Sequence, residues 1–357
     1  MFNTTISNFN LTRNYSHFDW NRTTNLETFS NLEAVLIPIT FSIIFLFGII
    51  GNGVLLSYMI RRRRMTSPHN IYVISLAVGD LLMLTVSMPF MSTIFTFEAW
   101  PYGDIVCKLS EFFHTLCCSV TVCMLTALSI ERLLIVSGRC SEHRNSMAII
   151  AVFVIWVYSF MFAIPDLVSS NLYEDPGYEI CVLYRHSWGE AYAKTMTIQK
   201  LVFLFIVPVM TSVLCYTATL IKLLQASSNS STVQINTARE NGKKAHIIIL
   251  IFILIIVFVI SWLPRRIYLM WYYFDPSPYN NYWHVMKLTG FCLMYANSAF
   301  NPLVFFVLDR DFRKFSLSSC QKCRTQQYVA VDSANSKNGQ TMILTELAQI
   351  DEIGSMV

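Results

Sequence analysis

Seven apolar segments, each long enough to cross a lipid bilayer, limit what this chain can fold into. A membrane-spanning helix needs about 20 predominantly apolar residues. Hydrophobic residues make up 54% of the chain and charged residues only 13%, which excludes an ordinary soluble protein. The sequence therefore predicts an all-α membrane protein, a seven-transmembrane helix bundle. The predicted spans are 34–61, 70–97, 104–137, 146–168, 193–224, 242–273 and 281–307.

The links between the spans differ in positive charge. Lys and Arg collect after spans one, three, five and seven, whereas the links after spans two, four and six contain few of them. Because positively charged links stay in the cytoplasm, this pattern predicts a multi-pass plasma-membrane protein with its amino terminus outside the cell. The basic residues are Arg61, Arg62, Arg63, Arg64, Arg139, Arg144, Lys222, Arg239, Lys243, Lys244, Arg310, Arg313 and Lys314.

The polar regions that flank the spans divide the chain into four parts. They are an outer tail at 1–33, the helix bundle at 34–308, a surface helix at 309–319 and a cytoplasmic tail at 320–357. The outer tail contains the Asn-x-Ser/Thr motif that accepts N-linked glycans. Because a tail rich in Asn and Thr also produces this motif by chance, modification is one of two interpretations. The four asparagines are Asn3, Asn10, Asn14 and Asn21.

The segment 309–319 alternates charged residues with Phe312 and Phe315. This pattern predicts a short amphipathic helix on the inner surface of the membrane. Cys320 and Cys323 follow it directly. These cysteines are candidates for palmitoylation or are unmodified cytoplasmic thiols.

The polar composition of 320–357 predicts a disordered tail whose Ser and Thr residues are open to kinases and, once phosphorylated, to arrestin. The chain ends in Ser355, Met356 and Val357, which resemble a terminus that binds a PDZ domain. A match of three residues is a weak signal.

Polar side chains interrupt several spans. Asp80 lies in the middle of span two, and an ionisable group at the bilayer centre costs at least about 2.5–3.5 kcal/mol. Asp80 should therefore face the bundle interior, either in a hydrogen-bond network between helices or in a small buried cation site. The other polar residues at similar depth are Asn52, Thr121, Asn297, Ser298 and Asn301.

Short motifs occur one helix after another in a fixed order. Together they resemble the class A (rhodopsin-like) G-protein-coupled receptors over residues 34 to 320. The motifs are Gly51-Asn52, Leu76-Ala77-Val78-Gly79-Asp80, Cys107 with Glu131-Arg132-Leu133, Trp156, Pro208 with Tyr216, Ser261-Trp262-Leu263-Pro264, and Asn301-Pro302-Leu303-Val304-Phe305.

The resemblance implies a role for each matching residue. It implies a disulfide between Cys107 and Cys181, and a resting pair of Glu131 with Arg132 that opens when span six swings outward and a heterotrimeric G protein binds. It also implies a sodium ion as an allosteric modulator. The implied sodium residues are Asp80, Thr121, Asn297, Ser298 and Asn301; the implied activation switch is Val122, Pro208, Phe258, Trp262 and Pro264; the implied G-protein coupling residues are Glu131, Arg132, Tyr216 and Phe305.

Three motifs depart from the family pattern. Glu131-Arg132-Leu133 stands where the family has Asp-Arg-Tyr, Ser261 replaces Cys, and Phe305 replaces the last Tyr of the span-seven motif. The Phe305 departure matters most, because phenylalanine has no hydroxyl to form the water-bridged contact with Tyr216 that steadies the active state in the family. Weak or atypical G-protein coupling is therefore one expectation from the sequence.

Two residues of the candidate ligand pocket argue against a biogenic amine and against light sensing through retinal. His114 stands where amine receptors carry an Asp, and Tyr295 stands where opsins carry the retinal lysine. Arg265 and Arg266 would be unfavourable in lipid, so at least one should line a wet cavity. A large cavity of mixed charge suits a peptide, and an acidic lipid is the alternative. The predicted lining is Phe90, Trp100, Glu111, His114, Lys200, Arg265, Arg266, Leu269, Phe291 and Tyr295.

The segment from Asn70 to Leu109 is most similar to neuropeptide receptors of the bombesin and CCHamide branch. This similarity implies a short, often amidated peptide ligand and a G protein of the phospholipase C type. A seven-span transporter would show internal repeats, and an enzyme a catalytic cluster, and neither pattern is present in the sequence. No catalytic residue, other cofactor or nucleic-acid partner is expected.

Overall fold

The structure, a computed structural model, describes residues 24–61, 68–95, 100–138, 144–175, 178–228 and 235–318. Seven of its helices are long and apolar enough to cross a membrane, and their ends lie within a few residues of most predicted bounds. The predicted seven-helix bundle is confirmed. The helices are α1 (Thr24–Arg61), α2 (Pro68–Met91), α3 (Gly103–Val136), α4 (Arg144–Ser169), α5 (Glu190–Leu201, Val202–Ile206 and Val207–Ser228), α6 (Ile235–Phe274), α7 (Asn281–Leu308) and α8 (310–318).

Helix α3 runs through the centre of the bundle. Buried residues recur on nearly every turn of it, from Cys107 to Arg132. By contrast α4 exposes large apolar side chains, for example Phe153 and Met161, along most of its length. A helix that exposes apolar residues in this way is suited to face lipid. Helix α3 therefore lines the interior of the described bundle along most of its length.

Two helices contain a turn of π geometry. These turns span Met83–Ser87 in α2 and Val202–Ile206 in α5. A π turn adds a residue to the helix and rotates the segment that follows. Pro264 lies inside α6 and Pro302 inside α7. A proline has no N–H to donate within a helix, so each gives its helix a place to bend.

The link between α4 and α5 forms a hairpin that the sequence does not predict. Strand β1 (Asn171–Asp175) pairs antiparallel with β2 (Tyr178–Val182), and Leu172 lies opposite Cys181. Cys181 forms the predicted disulfide with Cys107 at the start of α3, with their Cα atoms 5.6 Å apart. The backbone N–H of Leu172 also donates to Asp104 Oδ1 at 3.2 Å. The hairpin is thus fixed to this end of the bundle, named the disulfide end below.

Helix α8 packs its aromatic side against α1. Asp309 caps it, because its Oδ1 accepts hydrogen bonds from the backbone N–H groups of Asp311 and Phe312. The rings of Phe312 and Phe315 each lie 5.3 Å from the ring of Tyr58. The short helix predicted after span seven is present, but its buried Phe312 contacts protein rather than lipid.

Several predicted positions lie outside the residues that the structure describes. They are Arg62, Arg63, Arg64 and Arg139, the glycosylation candidates Asn3, Asn10, Asn14 and Asn21, the palmitoylation candidates Cys320 and Cys323, and the terminal Ser355, Met356 and Val357.

Candidate functional site

A cavity opens between α3, α5 and α6 at the disulfide end. The space between atoms comes to about 380 Å³ with open solvent at the mouth included, but the cavity volume proper is about 20 Å³, room for about one water molecule. The large cavity expected from the sequence is therefore not open in this structure, and a ligand would have to move the side chains that line it. Its lining is Glu111, His114, Thr115 and Cys118 of α3, Leu183 of the link, Lys200 and Leu204 of α5, and Trp262, Arg265, Arg266 and Leu269 of α6.

The ammonium group of Lys200 is neutralised in the cavity wall. Its Nζ lies 2.6 Å from Asp166 Oδ1, and Asp166 is fully buried in α4. The ammonium also lies 5.3 Å from the centre of the Tyr184 ring. Burial raises the pKa of the Tyr184 hydroxyl above its ordinary value, so this hydroxyl stays neutral beside the ion pair. Asp166 was not predicted, although an acid at the end of a span needs a partner.

Two arginines of α6 lie over aromatic rings. The guanidinium carbon of Arg265 is 4.0 Å from the centre of the Phe291 ring, and that of Arg266 is 5.5 Å from Trp262. Nη2 of Arg266 lies 3.7 Å from the Cys118 sulfur. In the described parts of the chain, neither Nε has a hydrogen-bond acceptor. The cavity therefore presents two cations with unused N–H donors.

Four of the predicted pocket residues lie outside the cavity lining. Tyr295 is fully buried and its hydroxyl lies 3.0 Å from Ser87 Oγ. The rings of Phe90 and Trp100 pack against Tyr102. Phe291 supports the guanidinium of Arg265 from behind. These four aromatic residues therefore pack behind or beside the cavity and do not line it.

The sequence misses Thr115, Cys118, Leu183 and Leu204 as lining residues. A signal for two of them was present, because Thr115 and Cys118 follow Glu111 by one and two helical turns on the same face of α3. No sequence signal places Leu183, which depends on the path of the hairpin link.

Aromatic contacts join the cavity floor to the middle of the bundle. The His114 ring lies 5.8 Å from that of Trp262, and Trp262 stacks on Phe258 at 5.8 Å. Phe258 lies 6.2 Å from Phe205 of the α5 π turn. Of the other predicted switch residues, Val122 and Pro208 are buried, and Pro264 follows Trp262 by two residues. A ligand that displaces His114 or Trp262 would therefore disturb α5 and α6 together.

The polar residues predicted for a sodium site meet at mid-depth. Asn301 Nδ2 donates to Asp80 Oδ2 at 2.7 Å, while Thr121, Asn297 and Ser298 are buried. Among the described residues, the Oδ1 atoms of Asp80, Asn297 and Asn301 have no hydrogen-bond partner. Hard cations take oxygen ligands, so this donor set fits a sodium ion. The Asp80–Asn301 bond is equally a helix-to-helix link, and both interpretations from the sequence remain open.

The opposite end of α3, named the arginine end, holds the predicted coupling residues. Arg132 Nη2 lies 3.2 Å from Glu131 Oε2, and both side chains are buried. The Tyr216 ring lies 5.0 Å from Phe252 of α6, and the Tyr216 hydroxyl has no partner within the described ranges. Phe305 is fully buried in α7. In this arrangement the guanidinium of Arg132 is buried and paired with Glu131, so a protein outside the bundle cannot reach it.

Comparison with known proteins gives one family and several relatives. Residues 51–305 match the family described as 7 transmembrane receptor (rhodopsin family). The neuropeptide CCHamide-1 receptor of Drosophila melanogaster is 31% identical over 297 residues, 79% of this chain and 59% of that receptor. This chain thus spans less than two thirds of that relative. Galanin receptor 2b of Danio rerio is 30% identical over 342 residues, 93% of this chain and 88% of that receptor. Human galanin receptor type 2 is 28% identical over 293 residues, 81% of this chain and 73% of that receptor.

Proposed function

The chain belongs to the rhodopsin family of seven-transmembrane receptors, and from this premise we propose that it binds an extracellular peptide and activates a heterotrimeric G protein. Two relatives carry names of neuropeptide and galanin receptors, which supports a peptide as the ligand class. The family is one of receptors rather than enzymes, and its members are multi-pass proteins of the plasma membrane.

One observation carries the proposal: the floor of the charged cavity is the first contact in the series of rings His114, Trp262 and Phe258 that runs toward the middle of the bundle. Glu111 and Arg265 offer opposite charges to the backbone and termini of a peptide. The floor of the same cavity includes His114 and Trp262, whose rings touch. Ligand binding would therefore act on the residues that precede the bend at Pro264.

The activation step would be an outward movement of α6. In this movement α6 would carry Phe252 away from Tyr216 and uncover Arg132 for the G protein. An Arg suits this role, because its planar group stays charged and can exchange Glu131 for a new partner. A ligand drives the movement only by binding the active state more tightly than the resting state.

We assign the disulfide end to the outside of the cell. A disulfide persists in an oxidising environment, which favours this orientation for Cys107 and Cys181. The basic residues after spans one, three, five and seven would then lie in the cytoplasm. Glycosylation of the outer tail, palmitoylation of the inner cysteines, and binding of kinases, arrestin and a PDZ protein remain proposals from the sequence, as does the phospholipase C type of G protein.

A paired screen tests the function. Cells that express the chain receive a library of short peptides, while calcium and cyclic AMP are recorded; we expect at least one peptide to raise calcium. Cells with the Arg132→Ala variant at equal surface amount serve as the control and should stay silent. Acidic lipids are included, because Arg265 and Arg266 also suit a lipid acid. A response to lipids with none to peptides would contradict the peptide ligand.

A further inference from the structure

The charges of the cavity lining do not balance. Lys200 already pairs with Asp166 at 2.6 Å, which leaves Glu111, Arg265 and Arg266. Across the ranges that the structure describes, no carboxylate forms an ion pair with either arginine. Two guanidinium groups against one carboxylate leave an excess of one positive charge, even with Glu111 ionised.

Arg266 is the less compensated of the two arginines. Its side chain is buried, with 7% of the residue surface exposed, and its described hydrogen bond goes to the Cys118 sulfur at 3.7 Å. A thiol is a weak acceptor, and the Arg266 Nε has no acceptor in the described residues. Burial of a guanidinium without an anion is strongly unfavourable. Among the residues that the structure describes, this cation therefore has no counter-ion.

The aromatic contacts of the two arginines do not occupy their N–H donors. The guanidinium carbons lie over the rings of Phe291 and Trp262, 4.0 and 5.5 Å from the ring centres. A cation–π contact uses the face of a guanidinium, while its N–H donors point outward in the plane of the group. The edge of a guanidinium is the part that binds a carboxylate through two parallel hydrogen bonds.

We propose that Arg265 and Arg266 together bind one carboxylate of the ligand, inserted to the level of Trp262. This inference rests on the proposed function, in which the cavity is the ligand site. A single carboxylate matches the excess of one positive charge, whereas a neutral carboxamide would leave it uncompensated. The ligand is accordingly a peptide with a free terminal carboxylate or an acidic side chain at its inserted end, and not the amidated peptide that the resemblance implies.

A binding measurement without activation tests the carboxylate directly. The purified full-length receptor is heated with millimolar N-acetylphenylalanine or with N-acetylphenylalaninamide, which differ only in the acid. We expect the acid to raise the melting temperature by about 2 °C and the amide to leave it unchanged. Equal shifts by both compounds would overturn the proposal.

Three variants assign the effect to Arg266. Arg266→Gln should lose the shift by the acid, and its melting temperature without ligand should not fall, because an uncompensated charge is removed. Arg266→Lys keeps the charge but not the double hydrogen bond, so it should retain a smaller shift and serves if the Gln variant does not fold. Arg310→Gln, at an exposed position of α8, should behave as wild type. A full shift in both Arg266 variants would overturn the proposal.

Peptides made in pairs, as free acid and as amide, then identify the source of the carboxylate in cells. We expect acids to be about 10- to 100-fold more potent than their amides. A preference for amides would overturn the carboxylate site while the peptide receptor function stands. If decanoate activates and no peptide does, the peptide function fails while the carboxylate site stands.

Discussion

Nη2 of Arg132 lies 3.2 Å from Oε2 of its neighbour Glu131, and the two residues are 9% and 7% exposed. A buried ion pair between adjacent residues needs no contact with another helix to form. The Arg132–Glu131 pair can therefore break when Arg132 gains another partner, without a change inside α3. In this structure it is closed, which matches the resting state of a receptor.

Removal of the Glu131 charge should raise basal signalling. In Glu131→Gln the guanidinium of Arg132 loses a buried charged partner, which favours the state in which it meets a G protein. We expect a several-fold rise in nucleotide exchange on the G protein without ligand. Glu190→Gln is the control, because Glu190 forms an exposed pair with Lys194 at 2.8 Å and such pairs contribute little. An unchanged basal level in Glu131→Gln would contradict the idea that Glu131 holds Arg132 in the resting state.

Addition of a hydroxyl at Phe305 should strengthen signalling. The hydroxyl of Tyr216 has no partner among the residues described, and Phe305 is fully buried in α7. In Phe305→Tyr the two hydroxyls can share a water in the active state, so basal or maximal signalling should rise about two- to tenfold. The double variant with Tyr216→Phe should lose this gain. The same gain with and without Tyr216 would exclude the contact.

The close approach of α6 and α7 depends on Gly290. A Cβ at Gly290 would lie 2.9 Å from the backbone nitrogen of Arg265, which cannot rotate away. Gly290→Ala should lower stability by about 1–3 kcal/mol and the melting temperature by several degrees. Gly53→Ala is the matched control, since no atom lies within 4 Å of its added Cβ. Equal melting temperatures for the two variants would show that α6 and α7 can move apart at Gly290 without loss of stability.

Sodium should stabilise the resting receptor through Asp80. The Oδ1 atoms of Asp80, Asn297 and Asn301, which have no hydrogen-bond partner in the described part of the chain, would each gain a ligand contact. We expect sodium chloride to raise the melting temperature relative to choline chloride in the wild type but not in Asp80→Asn. If the variant responds to sodium as the wild type does, the hydrogen-bond network alone explains these residues.

The bundle could be predicted from the sequence because lipid imposes a simple rule. Every backbone group in the bilayer must be satisfied within the chain, so a long apolar run is a helix. The hairpin of β1 and β2 lies outside the bilayer rule, so hydropathy gives no signal for it. The π turns at Met83–Ser87 and Val202–Ile206 were not predicted either. They contain the same residue types as the α-helix around them, so the sequence does not distinguish them.

The candidate site could be predicted in part. The charged lining residues were found because charges inside a span are rare and need water or a partner. The aromatic residues Phe90, Trp100 and Tyr295 were placed in the pocket because they lie at a suitable depth, but depth does not determine which way a ring points. Asp166 was missed for a related reason, since its partner Lys200 lies on another helix 34 positions away.

Nucleotide exchange on a purified G protein tests the central claim, that the cavity communicates with Arg132, most directly. The receptor is reconstituted in lipid nanodiscs as wild type and as Arg132→Ala, and an active peptide from the screen is added. We predict that the peptide binds both with similar affinity but accelerates GDP release only in the wild type. Equal acceleration by the Arg132→Ala receptor would contradict the account.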